Sequence, residues 1–149
     1  MNKEEIEYDK SADFYWSNLI NSLKLFSFSK NELENLIEPA FDPIFELESE
    51  IDYAFTSVCF ETIFRNDLID IKFKEELLDF KKQTDAIPSK IWDWEFLDVE
   101  QNWIEVRTKA NELLDKLGIV DRKYNEDYTT VYDNEGNVIK KGKKVANKT

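Results

Sequence analysis

Carboxylate pairs are the groups in this sequence that come closest to a chemical site. Glu46 and Glu50, and likewise Glu48 and Asp52, are four residues apart, so on a helix each pair shares a face. Two neighbouring carboxylates can hold a divalent cation or divide the roles of general acid and general base. Acidic helix surfaces also produce such pairs by chance, and we therefore predict no catalytic residue, no metal site and no cofactor.

The rest of the sequence lacks the residue types that most enzymes use. It contains no histidine, which removes the usual general base and the commonest transition-metal ligand. The single cysteine, Cys59, stands between Val58 and Phe60, where a buried thiol behaves as a small apolar group. Phosphate-binding glycine patterns are absent, and residues 133–137 lack the spacing of a calcium loop. We predict that the protein is not an enzyme.

Negative charge is concentrated in one part of the chain. Nine carboxylates and no Lys, Arg or His occur between Lys30 and Arg65. Like charges four residues apart on a helix cost a few tenths of a kcal/mol, so a surface of mixed sign would be more stable. Two explanations stay open at this stage: a face that only solvates the fold, and a face that binds a cationic partner.

The overall composition narrows the classes of partner and compartment. A net charge of −12 and a pI near 4.5 argue against binding to nucleic acid or to an anionic membrane, because Lys and Arg make most contacts with both. The N-terminus lacks the basic start and apolar run of a secretory signal. With one cysteine and a preference for Lys over Arg, the sequence predicts a cytoplasmic, bacterial protein.

Apolar residues recur at spacings of three and four up to residue 120, which predicts a mainly α-helical, single-domain bundle. We expect five helices, at about residues 11–26, 30–37, 43–64, 67–82 and 99–117. The third should begin at Pro43 behind a capping Asp42, and its second half is apolar on two sides. Asp98 and Gln101 form a capping-box pattern before the fifth helix, and Gly118 should end it.

The pattern changes after residue 120. Residues 128–132 and 137–139 alternate in the manner of strands around a turn that contains Gly136, which predicts a small C-terminal β-hairpin. The last ten residues contain five Lys and no acid. We therefore divide the chain into an acidic helical domain (1–120), a hairpin appendage (121–139) and a disordered Lys-rich tail (140–149).

A second segment without basic residues, 91–106, places carboxylates around two tryptophans. Acids mixed with large aromatic residues are typical of an interface for a cationic protein, since aromatic anchors supply affinity and charges raise the association rate. The tryptophans could instead fill the joint between the fourth and fifth helices. The predicted partner-binding residues are Glu46, Glu50, Asp52, Trp92, Asp93, Trp94, Glu95 and Glu105.

In general character the chain resembles the small acidic immunity proteins that bacteria make against polymorphic or contact-delivered toxins. The resemblance is carried by residues 91–94, 103–107 and 110–114. These proteins have many unrelated folds, so the resemblance identifies no binding residue. It implies one-to-one capture of a basic toxin domain, such as a nuclease, without a cofactor.

The leading hypothesis is therefore a non-enzymatic inhibitor that binds a basic protein, with mimicry of nucleic acid as a close variant. The alternative is a helical scaffold or homo-oligomer, in which the two-sided third and fourth helices would pack against copies of themselves.

Overall fold

The computed structural model describes residues 7–125 and, for their backbone, residues 131–132 and 138–140. The fold is mainly helical, as the sequence predicts. Its helices with defined bounds are α1 (Ala12–Ser27), α2 (Lys30–Glu34), α3 (Pro43–Ala54), α4 (Ser57–Arg65), α5 (Lys74–Asp85) and α6 (Gln101–Lys116). Short 3₁₀ turns lie at Ile71–Phe73, Ser89–Ile91 and Trp94–Phe96. None of the helices so described is long and apolar enough to cross a membrane.

Helix α1 is the centre of the fold. It packs against α3, α4 and α6, and α5 covers another part of α6. The sequence predicts one apolar stripe on this helix, but every residue from Leu19 to Ser27 is buried. The buried hydroxyl groups of Ser22 and Ser27 donate to carbonyl oxygens of the same helix, at 2.8 and 2.6 Å, so their burial leaves no hydroxyl without a partner.

The single third helix predicted over residues 43–64 is wrong, because the structure has two helices there. Helix α3 ends at Ala54, and Thr56 adopts an extended ψ of 147° before α4 begins. The break changes the rotation of the chain, so that α4 turns Phe60, Ile63 and Phe64 into the same core that α3 enters with Leu47 and Ile51. The two-sided apolar pattern is thus the signature of two helices, each with one buried face.

The ends of the last two helices differ in part from the prediction. Helix α5 is preceded by the 3₁₀ turn Ile71–Phe73 and begins at Lys74 instead of near residue 67. At α6 the capping box is wrong: Glu100 is the N-cap residue, and Asp98 instead accepts hydrogen bonds from the Lys30 backbone and from Arg107. Gly118 does end α6, with a φ of 77° that favours glycine.

The chain beyond α6 is attached to the helical body by polar side chains of α1. The buried Lys24 ammonium donates to the Lys123 carbonyl oxygen at 2.9 Å, and the Asn21 amide exchanges two hydrogen bonds with the Asn125 backbone. Tyr124 and Ile119 are buried members of the core. The core therefore continues past residue 120, where the sequence placed a domain boundary.

Farther along the chain, strands β1 (Val131–Tyr132) and β2 (Val138–Lys140) pair in antiparallel fashion. The turn at residues 133–137 and the tail at 141–149 lie outside the described residues. The complete hairpin and the disordered tail therefore stay predictions.

Candidate functional site

The outer face of α3 combines exposed aromatic rings with carboxylates. Phe45, Glu48, Ser49, Asp52 and Tyr53 recur at helical spacing and are all exposed, with Phe45 at 63% and Tyr53 at 45%. Exposed apolar surface that is bordered by polar residues can mark a site of protein–protein interaction. We call these five residues the α3 outer face.

The local sequence fixes the direction of this face. The Asp42 carboxylate caps the helix by accepting from the Ile44 backbone N–H at 3.1 Å, and Pro43 occupies the first turn. On the opposite side Leu47 and Ile51 are 1% exposed. Burial of that stripe turns the outer face toward solvent.

Glu46 and Glu50, two of the predicted binding residues, lie on a different flank of α3 from Asp52. Glu50 is partly buried and accepts a hydrogen bond from the Tyr124 hydroxyl group. Burial raises the pKa of Glu46, a hydrogen bond with Glu50 opposes that rise, and the nearby charge of Asp42 adds to it. Glu50 therefore faces the segment after α6, and Glu46 lies beside Glu50.

A cleft opens beside the α3 outer face, between α3, the end of α5 and the segment that follows α5. Its volume is about 260 Å³, and it is lined by Glu48, Ile51, Asp52, Thr84, Asp85, Ile87, Ser89 and Trp92. Three carboxylates thus border a cavity whose remaining wall includes two isoleucines and an indole ring. We call it the acidic cleft.

Lys81 partly neutralises this cleft. Its ammonium group lies 3.1 Å from an Asp52 oxygen and 2.6 Å from an Asp85 oxygen. Burial works against the charge of Lys81, but the hydrogen bonds to Asp85 and Asp52 outweigh burial and raise its pKa. Glu48 takes part in no ion pair within residues 7–125, so the cleft retains an excess of negative charge.

Trp92 reaches the cleft from the core, whereas the other predicted residues of its segment do not line it. The Trp92 indole N–H donates to the Ile44 carbonyl oxygen at 3.1 Å, and its ring packs edge-on against Trp103, with centroids 4.7 Å apart. Asp93 caps a 3₁₀ turn by accepting from the Trp94 N–H at 2.7 Å. Glu95 is exposed, Trp94 is half-buried, and the exposed Glu105 accepts from Gln101 on α6.

The structure therefore joins two of the eight predicted residues, Asp52 and Trp92, in one cleft. Sequence reasoning missed Phe45, although its place opposite the buried stripe of the third helix was a usable signal. Tyr53 lies in the half of the predicted third helix that is apolar on two sides, a pattern that does not by itself indicate exposure. The sequence does not indicate that Asp85 belongs to the acidic cleft, because only the packing of α5 beside α3 brings it there.

Comparison with known protein families, with curated proteins and with solved structures finds no match for this chain.

The α3 outer face and the acidic cleft together present carboxylates and aromatic rings. Among the described residues, no group of three or more His, Cys, Asp and Glu side chains is placed to share a metal ion. The Tyr53 phenol is neutral near pH 7, and partial burial, the main cause, together with the neighbouring Cys59 raises its pKa to about 12. Carboxylates, a neutral phenol and apolar rings can together bind a cationic surface.

Proposed function

We propose that this chain is a non-enzymatic acidic binding protein, an immunity protein that neutralises a basic toxin by direct one-to-one contact in the cytoplasm of a bacterium. The observation that carries the proposal is the α3 outer face, where Phe45 and Tyr53 flank Glu48 and Asp52. The resemblance in character to toxin-neutralising proteins suggests that the partner is a toxin. The excess of acidic residues suggests that the partner is positively charged.

The two kinds of side chain would contribute to different steps of binding. Glu48 and Asp52 would attract a basic surface and raise the association rate, an effect that salt screens. Phe45 and Tyr53 would lose their exposure on binding and slow dissociation, because buried aromatic anchors carry much of the free energy of an interface.

The proposal is tested by capture of the target followed by inhibition. The tagged chain is incubated with lysate of its native host at low and high salt, and a retained basic toxin domain is purified and assayed for its activity. We expect complete inhibition at one equivalent, with association about threefold to tenfold slower for the double variant Glu48→Gln/Asp52→Asn.

Helix α5 offers a matched control. Glu75 and Asp79 repeat the Glu and Asp spacing on an exposed surface and make no ion pair within residues 7–125. The variant Glu75→Gln/Asp79→Asn removes the same charge and should associate at nearly the rate of the wild type. Equal slowing by both double variants would contradict a local binding face and leave only the effect of net charge.

The scaffold alternative makes a separate prediction about the free chain. Exposed apolar residues such as Val58, Ile71 and Leu78 could join copies of the protein. The two-sided pattern of the predicted third helix is accounted for within one chain, however, because α3 and α4 each bury one face. Analytical ultracentrifugation that finds a stable homo-oligomer, together with failure to capture a toxin, would favour the scaffold.

A further inference from the structure

We propose that the acidic cleft receives one arginine side chain of the partner protein. The inference rests on the proposed function and deepens it, since it names the group that the partner inserts. It assigns a recognition role to Glu48, Asp52 and Trp92 together.

The size and lining of the cleft suit a long side chain with a charged end. A volume of about 260 Å³ lies below the range of roughly 300 to 1,000 Å³ that is usual for small-molecule sites. The buried Ile51 and Ile87 form an apolar floor beneath the position of an aliphatic stem. The carboxylates of Glu48 and Asp52, one helical turn apart, offer acceptors to its end.

Trp92 favours a guanidinium group over an ammonium group. Its indole N–H is already used by the Ile44 carbonyl oxygen, so Trp92 lines the cleft as an aromatic ring and has no free donor for an occupant. A planar guanidinium stacks on an aromatic ring and binds a carboxylate through two N–H groups, whereas an ammonium is a strongly hydrated point charge. The ammonium position between Asp52 and Asp85 is already taken by Lys81.

Charge balance leaves room for a second cation. Glu48, Asp52 and Asp85 bring three negative charges to the lining, and Lys81 is the positive group that contacts two of them. A bound arginine would neutralise much of the remaining negative charge, which is centred on Glu48. Its guanidinium group would share the Asp52 carboxylate with Lys81. Lys81 is therefore a competitor, and its removal should strengthen binding.

The test uses the full chain, isotope-labelled, and a minimal probe. N-acetyl-L-arginine methylamide is titrated against the protein while amide and indole N–H signals are followed by NMR. The neutral citrulline analogue is the control probe, because it keeps the shape of arginine and lacks the charge. We expect saturable shifts at residues 48–52 and 84–89 and at the Trp92 indole signal, assigned with Trp92→Phe, from the arginine probe alone.

Three variants make the result specific. Glu48→Gln/Asp52→Asn should weaken binding of the arginine probe at least about tenfold, and the control Glu75→Gln/Asp79→Asn less than about twofold. Lys81→Gln should strengthen it by about threefold, because one competing charge is gone. Shifts spread over all acidic surfaces, equal shifts with citrulline, or unchanged binding in Glu48→Gln/Asp52→Asn would overturn the inference.

The probe separates this inference from the proposed function. If a toxin is captured and inhibited but the arginine probe does not occupy the cleft, the toxin-binding proposal stands and the arginine site is rejected. If the probe binds as described and no toxin is captured, the arginine site stands. The proposal that a toxin supplies the arginine side chain is then rejected.

Discussion

The Tyr124 hydroxyl group donates a hydrogen bond to the Glu50 carboxylate, which joins two positions 74 residues apart in the sequence. Tyr124 is 3% exposed, and its ring lies 5.4 Å from that of Phe41 between the ring centroids. Glu50 therefore helps to hold the chain after α6 against α3. A residue that the sequence assigns to partner binding thus has a contact that stabilises the fold.

This contact predicts that Glu50 stabilises the folded state. Glu50→Ala and Tyr124→Phe should each lower the free energy of unfolding by about 1 to 2 kcal/mol, because each removes one partner of this hydrogen bond. The other partner is then left partly buried without that bond. The double variant should cost less than the sum, since both changes remove one interaction. Urea denaturation followed by circular dichroism measures these values.

Glu48→Ala is the control for that series, since Glu48 is exposed on the same helix and should change the free energy of unfolding by less than about 0.5 kcal/mol. If Glu50→Ala left stability unchanged and slowed association with a toxin, Glu50 would belong to the binding face after all.

Glu46 should make the stability of the protein depend on pH. Burial, the largest cause, raises the pKa of Glu46 in the folded state. A carboxyl group with a raised folded pKa binds more protons in the folded state, so stability falls as pH rises from the unfolded pKa through the folded pKa. Glu46→Gln should therefore be more stable than the wild type near neutral pH, and this gain should vanish below the unfolded pKa.

Urea unfolding at about pH 7 and about pH 3.5 measures that difference. Glu34→Gln, at an exposed position of α2, removes the same charge and should give a smaller gain at about pH 7. A gain for Glu46→Gln that is equally large at both pH values would rule out ionisation of Glu46 as its cause.

The tryptophans should differ sharply in their effect on stability. Trp103 is 4% exposed, its indole N–H donates to the Ile91 carbonyl oxygen at 2.8 Å, and its ring stacks near Phe26. Trp103→Phe should lower the free energy of unfolding by about 2 to 4 kcal/mol through a cavity and an orphaned carbonyl group.

The half-buried Trp94 is the comparison, and Trp94→Phe should cost less than about 1 kcal/mol. Far-ultraviolet circular dichroism should be the probe, because it does not depend on the fluorophores that are removed. Equal losses for the two variants would show that Trp94 is as much a part of the core as Trp103.

Gly118 should be sensitive to substitution by any residue that has a β-carbon. Its φ of 77° lies in the left-handed region, where a β-carbon is unfavourable. Gly118→Ala should lower the free energy of unfolding by about 1 kcal/mol and weaken the packing of the buried Ile119 in the core. Thermal melting measures the loss, and an unchanged melting temperature would show that another residue can end α6 equally well.

The sequence predicts the helical class, the extent of α1 and the end of α6 because those features depend on local periodicity and on a single glycine. It does not predict the break at Thr56, since both halves of residues 43–64 are apolar at helical spacing and only the shared core distinguishes one helix from two. The contacts of Asp98 could not be predicted for a similar reason. Its carboxylate accepts hydrogen bonds from Arg107 and from the Lys30 backbone, and it does not cap the neighbouring helix.

The candidate site was predictable only where one helix forms it. The spacing of Glu48 and Asp52 indicates a shared face, and the buried stripe of α3 indicates that Phe45 lies outside it. Asp85 and Lys81 come from α5, and no spacing along the chain relates them to α3. The same limit applies to Glu50, whose partner Tyr124 lies in a segment that the sequence assigned to an appendage.

The central place of α1 has a consequence for synthesis on the ribosome. Its main neighbour in the fold is α6, which ends at Lys116, and the buried Asn21 and Lys24 find their partners only at residues 123–125. While the nascent chain is shorter than this, the apolar surface around Leu19, Leu23 and Phe26 lacks the cover that α6 supplies. The core around α1 therefore cannot be completed before residue 125 has been synthesised, and a shorter nascent chain leaves apolar surface of α1 exposed.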